Sequence, residues 1–243
     1  MPTKICFASI DVEKDLSHDS FRGVENLDKI LDIFKKYEVR ATLFVTGEVL
    51  QKFLGKFREL SSLYEIACHS FTHRFWNILS VSERQKELDD FISLYRSVFQ
   101  RSPVGFRAPS HVIDEQALEL LARTGFLYDS SVVPHYPPFK KYRGYKGRAP
   151  LLPYRFERIN LLEIPVSGQA LGIPLAGAWI RGLPAWFYAV LFFFHRPEFI
   201  TLNMHSWDIL EPDFTGKLEK IIKILKKNNY QFLNGQQLLE NRK

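Results

Sequence analysis

ICFASIDVEKD, residues 5–15, passes from a largely apolar run into three acids within five positions, Asp11, Glu13 and Asp15. The run ICFASI reads as a strand. Like charges packed this closely behind a buried strand repel, so a cation, a bound proton or water must hold them together.

Working outward, strand-like and helix-like runs alternate along the whole chain. Leu27, Ile30, Leu31 and Phe34 have the i, i+3, i+4, i+7 spacing of a helix. ATLFVT (41–46) reads as a strand, followed by a weaker helix over 48–60 and a short strand, YEIAC (64–68). Residues 82–99 predict an amphipathic helix with Leu88, Phe91, Ile92, Tyr95 and Phe99 on one face, and Ser80 and Glu83 offer it a capping box. VGFRA (104–108), FLYDSS (126–131) and LLEIPV (161–166) read as strands, and Asp114 caps a helix that ends at Gly125. FITLNMH (199–205) predicts a strand, Leu218 to Leu225 a long helix, and YQFL (230–233) a last strand before a short tail.

Seven or eight β/α repeats in 243 residues, with no linker and no shift in composition, predict one domain spanning 1–243. The fold class is α/β, a parallel sheet closed as a barrel rather than left open. No glycine-rich phosphate loop follows the first strand, which counts against dinucleotide binding.

A hydrophobic fraction of 46% suffices for a full core, and 21 Phe predict an aromatic one or an aromatic groove. The net charge of +6 permits an anionic partner without requiring one. Two cysteines, Cys6 and Cys68, are too few for a disulfide scaffold. With no signal-peptide-like run in MPTKICFASID, they give a cytoplasmic expectation. LPAWFYAVLFFF (183–194) is shorter than the roughly 20 residues of a membrane helix. It reads as a buried helix with Pro184 in its first turn; lack of a charged face weakens the alternative of a helix lying on a membrane. Residues 134–160 form a long connection rich in Pro, Lys and Arg, either solvated or turned toward an anion on the substrate.

The unusual polar residues fall where these strands end. Asp11 and Glu13 lie just past the first, His69 past YEIAC, Arg107 and Asp129 late in theirs, and His205 at the end of FITLNMH. In a parallel barrel those carboxyl ends share the face that carries active sites. His69 and His73 are spaced i, i+4, which on a helical turn lets both imidazoles reach one metal. Two His and one carboxylate leave coordination positions for water and substrate.

These residues resemble the polysaccharide deacetylases, the NodB-homology or carbohydrate esterase 4 group. SIDVE, HSFTH, RAPS, YDSS and NMHSWD are similar to that family's five motifs, in order, over residues 4–235. The first motif looks like the branch carrying DVE or DVD. Ser110 stands where Tyr is common, and Asn203 where Leu is common.

The resemblance implies a distorted (β/α)7–8 barrel, TIM-like, and a metal-dependent hydrolase that removes an N-linked acetyl or formyl group from an amino sugar. Asp11 would be the catalytic base and Arg107 its brace. His205 would be the acid, with Asp129 tuning it. Glu13, His69 and His73 would hold a divalent metal, Zn²⁺ first, with Co, Mn or Ni as other borderline cations; Asp15 is the alternative to Glu13. The substrate would be an oligosaccharide or a lipid-linked sugar, with peripheral membrane contact open and the oligomeric state unspecified. A non-catalytic glycan-binding protein is the alternative of another class. Nucleic acid is not expected, since no module for it is present.

Overall fold

The computed structural model describes residues 4–16, 18–134, 144–145, 147–167 and 173–241. Residues 135–143 and 146 of the 134–160 connection, with four of its seven Lys and Arg residues, lie outside them.

The strands in chain order are β1 (Lys4–Val12), β2 (Thr42–Val45), β3 (Glu65–Cys68), β4 (Gly105–Phe106) and β5 (Tyr128–Asp129). Then come β6 (Tyr154–Phe156), β7 (Leu161–Glu163), β8 (Leu175–Ala176), β9 (Phe199–His205) and β10 (Tyr230–Leu233). The helices are α1 (Arg22–Glu25), α2 (Asp28–Lys36), α3 (Gly47–Lys52), α4 (Leu54–Leu60) and α5 (Val81–Phe99). They continue with α6 (Glu115–Thr124), α7 (Gly177–Gly182), α8 (Ala185–Phe194), α9 (Phe214–Lys227) and α10 (Gly235–Glu240).

The chain divides into two compact units. The first comprises residues 1–41 and 167–234, and the second 42–166 and 235–243. In the first unit β10, β1, β9 and β8 lie side by side, all parallel. From Cys6 to Val12 every residue of β1 is buried, the continuous burial of a parallel strand covered on both faces. Ile30, Leu31 and Phe34 of α2 and Leu218, Ile221, Ile222 and Leu225 of α9 supply apolar cover.

In the second unit β2, β3, β4, β5 and β7 follow one another in parallel. β6 adds to β7 in the opposite sense, within the segment read from sequence as a connection alone. The capping box is present: Ser80 Oγ accepts from the Glu83 N–H while Glu83 accepts from the Ser80 N–H. Asp114 caps α6, and Gly125 takes the left-handed φ of +96° that closes it.

Three expectations change. β4 and β5 keep two residues each, although the Arg107 N–H still donates to the Cys68 carbonyl and the Ser130 N–H to the Phe106 carbonyl, each at 2.9 Å. Pro184 is the N-cap of α8 and not in its first turn, and only one face of that helix is buried, at Ala185, Tyr188, Leu191 and Phe192. The expected tail is helix α10. Its first N–H groups donate to Thr42 Oγ1 (2.9 Å, from Gly235) and Glu65 Oε2 (2.9 Å, from Gln236). Gly235 is required there, since a Cβ would stand 2.3 Å from the Tyr128 ring.

Candidate functional site

In the first unit, parallel pairing of β1 with β9 sets Asp11 opposite His205. Partners in a parallel ladder project to the same face, so base and acid candidates are brought together by sheet register alone. Just past β1, Glu13 accepts a 2.9 Å bond at Oε1 from the Trp207 indole N–H, which orients its carboxylate. The Trp207 ring stacks on the His205 imidazole, with centroids 4.4 Å apart and planes 15° from parallel.

His205 is also faced by Asp208, a buried carboxylate to which the sequence reading assigned no role. Asp208 Oδ2 accepts from the His205 backbone N–H (2.8 Å) and lies 3.5 Å from His205 Nδ1, while Arg181 holds its other oxygen. Burial pushes the His205 pKa down, but Asp208 and the charges of Glu13 and Asp11 outweigh it, so the net shift is upward.

Asp15 does different work. Its oxygens accept from Ser20 Oγ and from the backbone N–H groups of Arg22 and Gly23, each of the latter at 2.9 Å. That pins α1 against the Ser206–Trp207 turn, where a Cβ on Gly23 would stand 2.6 Å from Trp207 Cα.

In the second unit, HSFTH is not a helical turn as its spacing suggested. It is a loop with Ser70 (φ 64°) and His73 (φ 60°) left-handed, uncommon for non-glycine residues and held by their surroundings. Glu87, reaching from α5, does the holding. It accepts from Ser70 Oγ (2.8 Å), the Phe71 N–H (2.9 Å), the Thr72 N–H (2.8 Å) and Thr72 Oγ1 (2.6 Å). Burial works against the Glu87 charge, yet these bonds prevail and its pKa is lowered. The His69 and His73 rings come to 5.0 Å between centroids. His69 Nδ1 lies 2.8 Å from the Arg107 carbonyl, an acceptor only, so Nδ1 carries the proton and Nε2 is the lone-pair nitrogen.

Arg107 is fully buried. Its guanidinium donates to the Ser130 carbonyl and Ser130 Oγ, each at 2.8 Å, and sits 4.1 Å from the centroid of the Phe44 ring. Asp129 accepts from Ser131 N–H (3.0 Å) and Ser131 Oγ (2.7 Å). Its register partner on β7 is Glu163, also buried. Burial raises both carboxyls, and for Glu163 the Asp129 charge adds to the rise, so the pair retains a proton that separate carboxylates would lose.

Residues 15–128 match the polysaccharide deacetylase family model. That match covers just under half of the chain and likens it to the polysaccharide deacetylases. It is similar to a peptidoglycan deacetylase-like protein, FGM2, of Gibberella zeae, at 39% identity over 114 residues, 46% of this chain and 33% of that protein. It is also similar to a peptidoglycan deacetylase of Helicobacter pylori, at 28% over 126 residues, 51% of this chain and 42% of that one. Thus the chain spans less than half the length of these curated relatives. Among solved structures, it resembles BA3943 of Bacillus anthracis, a carbohydrate esterase 4 pseudoenzyme, with a TM-score of 0.65 and 17% identity over 98% of this chain and 66% of that one. The fold of this chain is the distorted (β/α) barrel of its structural neighbours. Among its described residues, no helix is long and apolar enough to cross a membrane.

Proposed function

We propose that this chain is a metal-dependent hydrolase that removes an N-linked acetyl group from an amino sugar in a glycan or glycan precursor, both units acting as one deacetylase domain. The observation that carries this reading is the pairing of Asp11 with His205 across β1 and β9.

The donor set suits a divalent metal. His69 presents Nε2 as its lone-pair nitrogen, His73 is its neighbour at 5.0 Å, and Glu13 supplies the carboxylate. Glu13 is preferred to Asp15, whose carboxylate is engaged in pinning α1. Zn²⁺ is the first choice, with Co, Mn or Ni as alternatives. When bound, such a cation polarises the acyl carbonyl and acidifies the attacking water.

Asp11 takes the proton of that water. Arg107 is assigned the positive charge that keeps Asp11 ionised, and Asp129, bonded to Ser131, is assigned the tuning of His205 together with Asp208. His205 gives its proton to the departing nitrogen. Asp208 keeps the imidazole protonated for that step, and the stacked Trp207 fixes its plane.

The test is to strip and restore divalent metal and follow acetate and formate release from free, polymeric and prenyl-phosphate-linked N-acyl amino sugars. Metal-dependent release that Asp11→Asn abolishes supports the proposal, and release without metal refutes it. A pseudoenzyme shares the fold, so glycan binding with no release in the presence of metal would favour the non-catalytic reading.

A further inference from the structure

Helix α8 is apolar on both faces, and only one is covered. Trp186 is 67% exposed, Val190 45%, Phe193 71% and Phe194 71%. Offsets of four, seven and eight residues place all four on one side of the helix. Soluble proteins seldom leave contiguous apolar surface of this kind without a partner for it.

The neighbouring helix indicates which partner. Lys217, Lys220 and Lys223 of α9 line one groove with Trp186 and Ala189 of α8. Lys217 donates to the Arg181 carbonyl, Lys223 lies 3.4 Å from Glu219, and Asp213 is the acid that also borders the groove. At the far end of α8, His195 and Arg196 are exposed, with Arg196 Nε donating to the Phe192 carbonyl. Exposed Trp and Phe edged by Lys and Arg are the chemistry of a helix lying in a lipid headgroup layer. With ten residues, α8 can lie in that layer but cannot span it. A second copy of the chain fits less well, because two-fold contact through this face would set lysine row against lysine row, and protein interface cores are poor in lysine.

The geometry points to the exposed face of α8, with the lysines of α9, as a docking surface for anionic lipid bilayers. It goes beyond the catalytic reading and does not rest on it. The charged half escaped the sequence because α8 carries no basic face of its own; the lysines belong to α9, more than twenty residues later.

Co-sedimentation with vesicles of phosphatidylcholine, alone or mixed with phosphatidylglycerol, tests this. The wild type should bind the mixed vesicles at least about tenfold more tightly than the neutral ones and lose that preference at high salt. The double variant Phe193→Ser/Phe194→Ser, checked for an unchanged melting temperature, should bind about tenfold more weakly or worse. Should it fail to fold, Trp186 decides: wild-type fluorescence should shift to the blue on mixed vesicles, and Trp186→Phe should remove that shift. No wild-type binding, equal binding to both vesicle types, or a solution dimer that the double variant converts to monomer would overturn the inference. The assay measures no turnover, so its failure leaves the proposed hydrolase standing, and loss of the hydrolase reading leaves the docking surface standing.

Discussion

Asp11 and His205 are register partners on neighbouring parallel strands, though 194 positions separate them in the chain. One pairing decision in the sheet therefore sets a carboxylate and an imidazole on the same face. Sheet register moves in single steps, and a slip of one residue would turn one of the two away. Asp11→Asn should fold with a melting temperature close to the wild type yet lose about 10²- to 10⁴-fold in kcat for acetate release. Wild-type turnover in that variant would remove Asp11 from the chemistry.

Asp208 should set the alkaline limb of the activity profile. Its carboxylate helps hold the His205 pKa above the ordinary value, so His205 stays protonated further up the pH scale. Asp208→Asn removes that charge, and the alkaline limb of kcat should move to lower pH. A limb that stays in place while kcat falls uniformly would reduce Asp208 to a structural anchor for Arg181.

Glu87 should matter to metal affinity without touching the metal. It binds the HSFTH loop at four points. Glu87→Ala should weaken metal binding by about 10- to 100-fold in a calorimetric titration, with a stability loss of about 1–3 kcal/mol. Because the folded-state pKa of Glu87 is lowered, its contribution is complete above the ordinary carboxylate value and is lost as pH falls through the lowered one. Loosening of the loop in acid should follow that window.

The Asp129–Glu163 pair has the opposite sign. Its carboxyls are raised, so the native state holds a proton more tightly than the unfolded chain, and stability is lost as pH rises from the ordinary carboxylate range through the raised value. Glu163→Gln substitutes a neutral group of the same shape. The variant should gain stability relative to the wild type as pH rises, and the difference should close in acid. Parallel melting curves for the two proteins from acid to alkaline pH would contradict the shared proton.

Local chemistry was legible in the sequence, and distant partnership was not. The Ser80–Glu83 box, the Asp114 cap, and β9 and β10 follow from signals confined to a few residues, and each stands where periodicity and capping placed it. HSFTH shows the limit. Spacing of four suits a helical turn, but the loop geometry comes from Glu87, whose place on α5 among Leu88 and Phe91 resembles any helical glutamate until its partners are known. A charged residue on the buried side of that stripe was the available signal. Asp208 escaped notice in the same way, since the meaning of an acid three residues after a histidine depends on Arg181 holding it buried. β6 lies in a stretch where prolines and basic residues mask a three-residue edge strand.

The central claim is that Glu13, His69 and His73 hold one divalent cation on which acyl hydrolysis depends. Anomalous scattering from crystals grown with Zn²⁺, recorded on both sides of the zinc edge, tests it most directly. One peak ligated by the Glu13 carboxylate, His69 Nε2 and His73 is the predicted result. No peak at the two imidazoles, or a peak ligated by Asp15 in place of Glu13, would contradict the account.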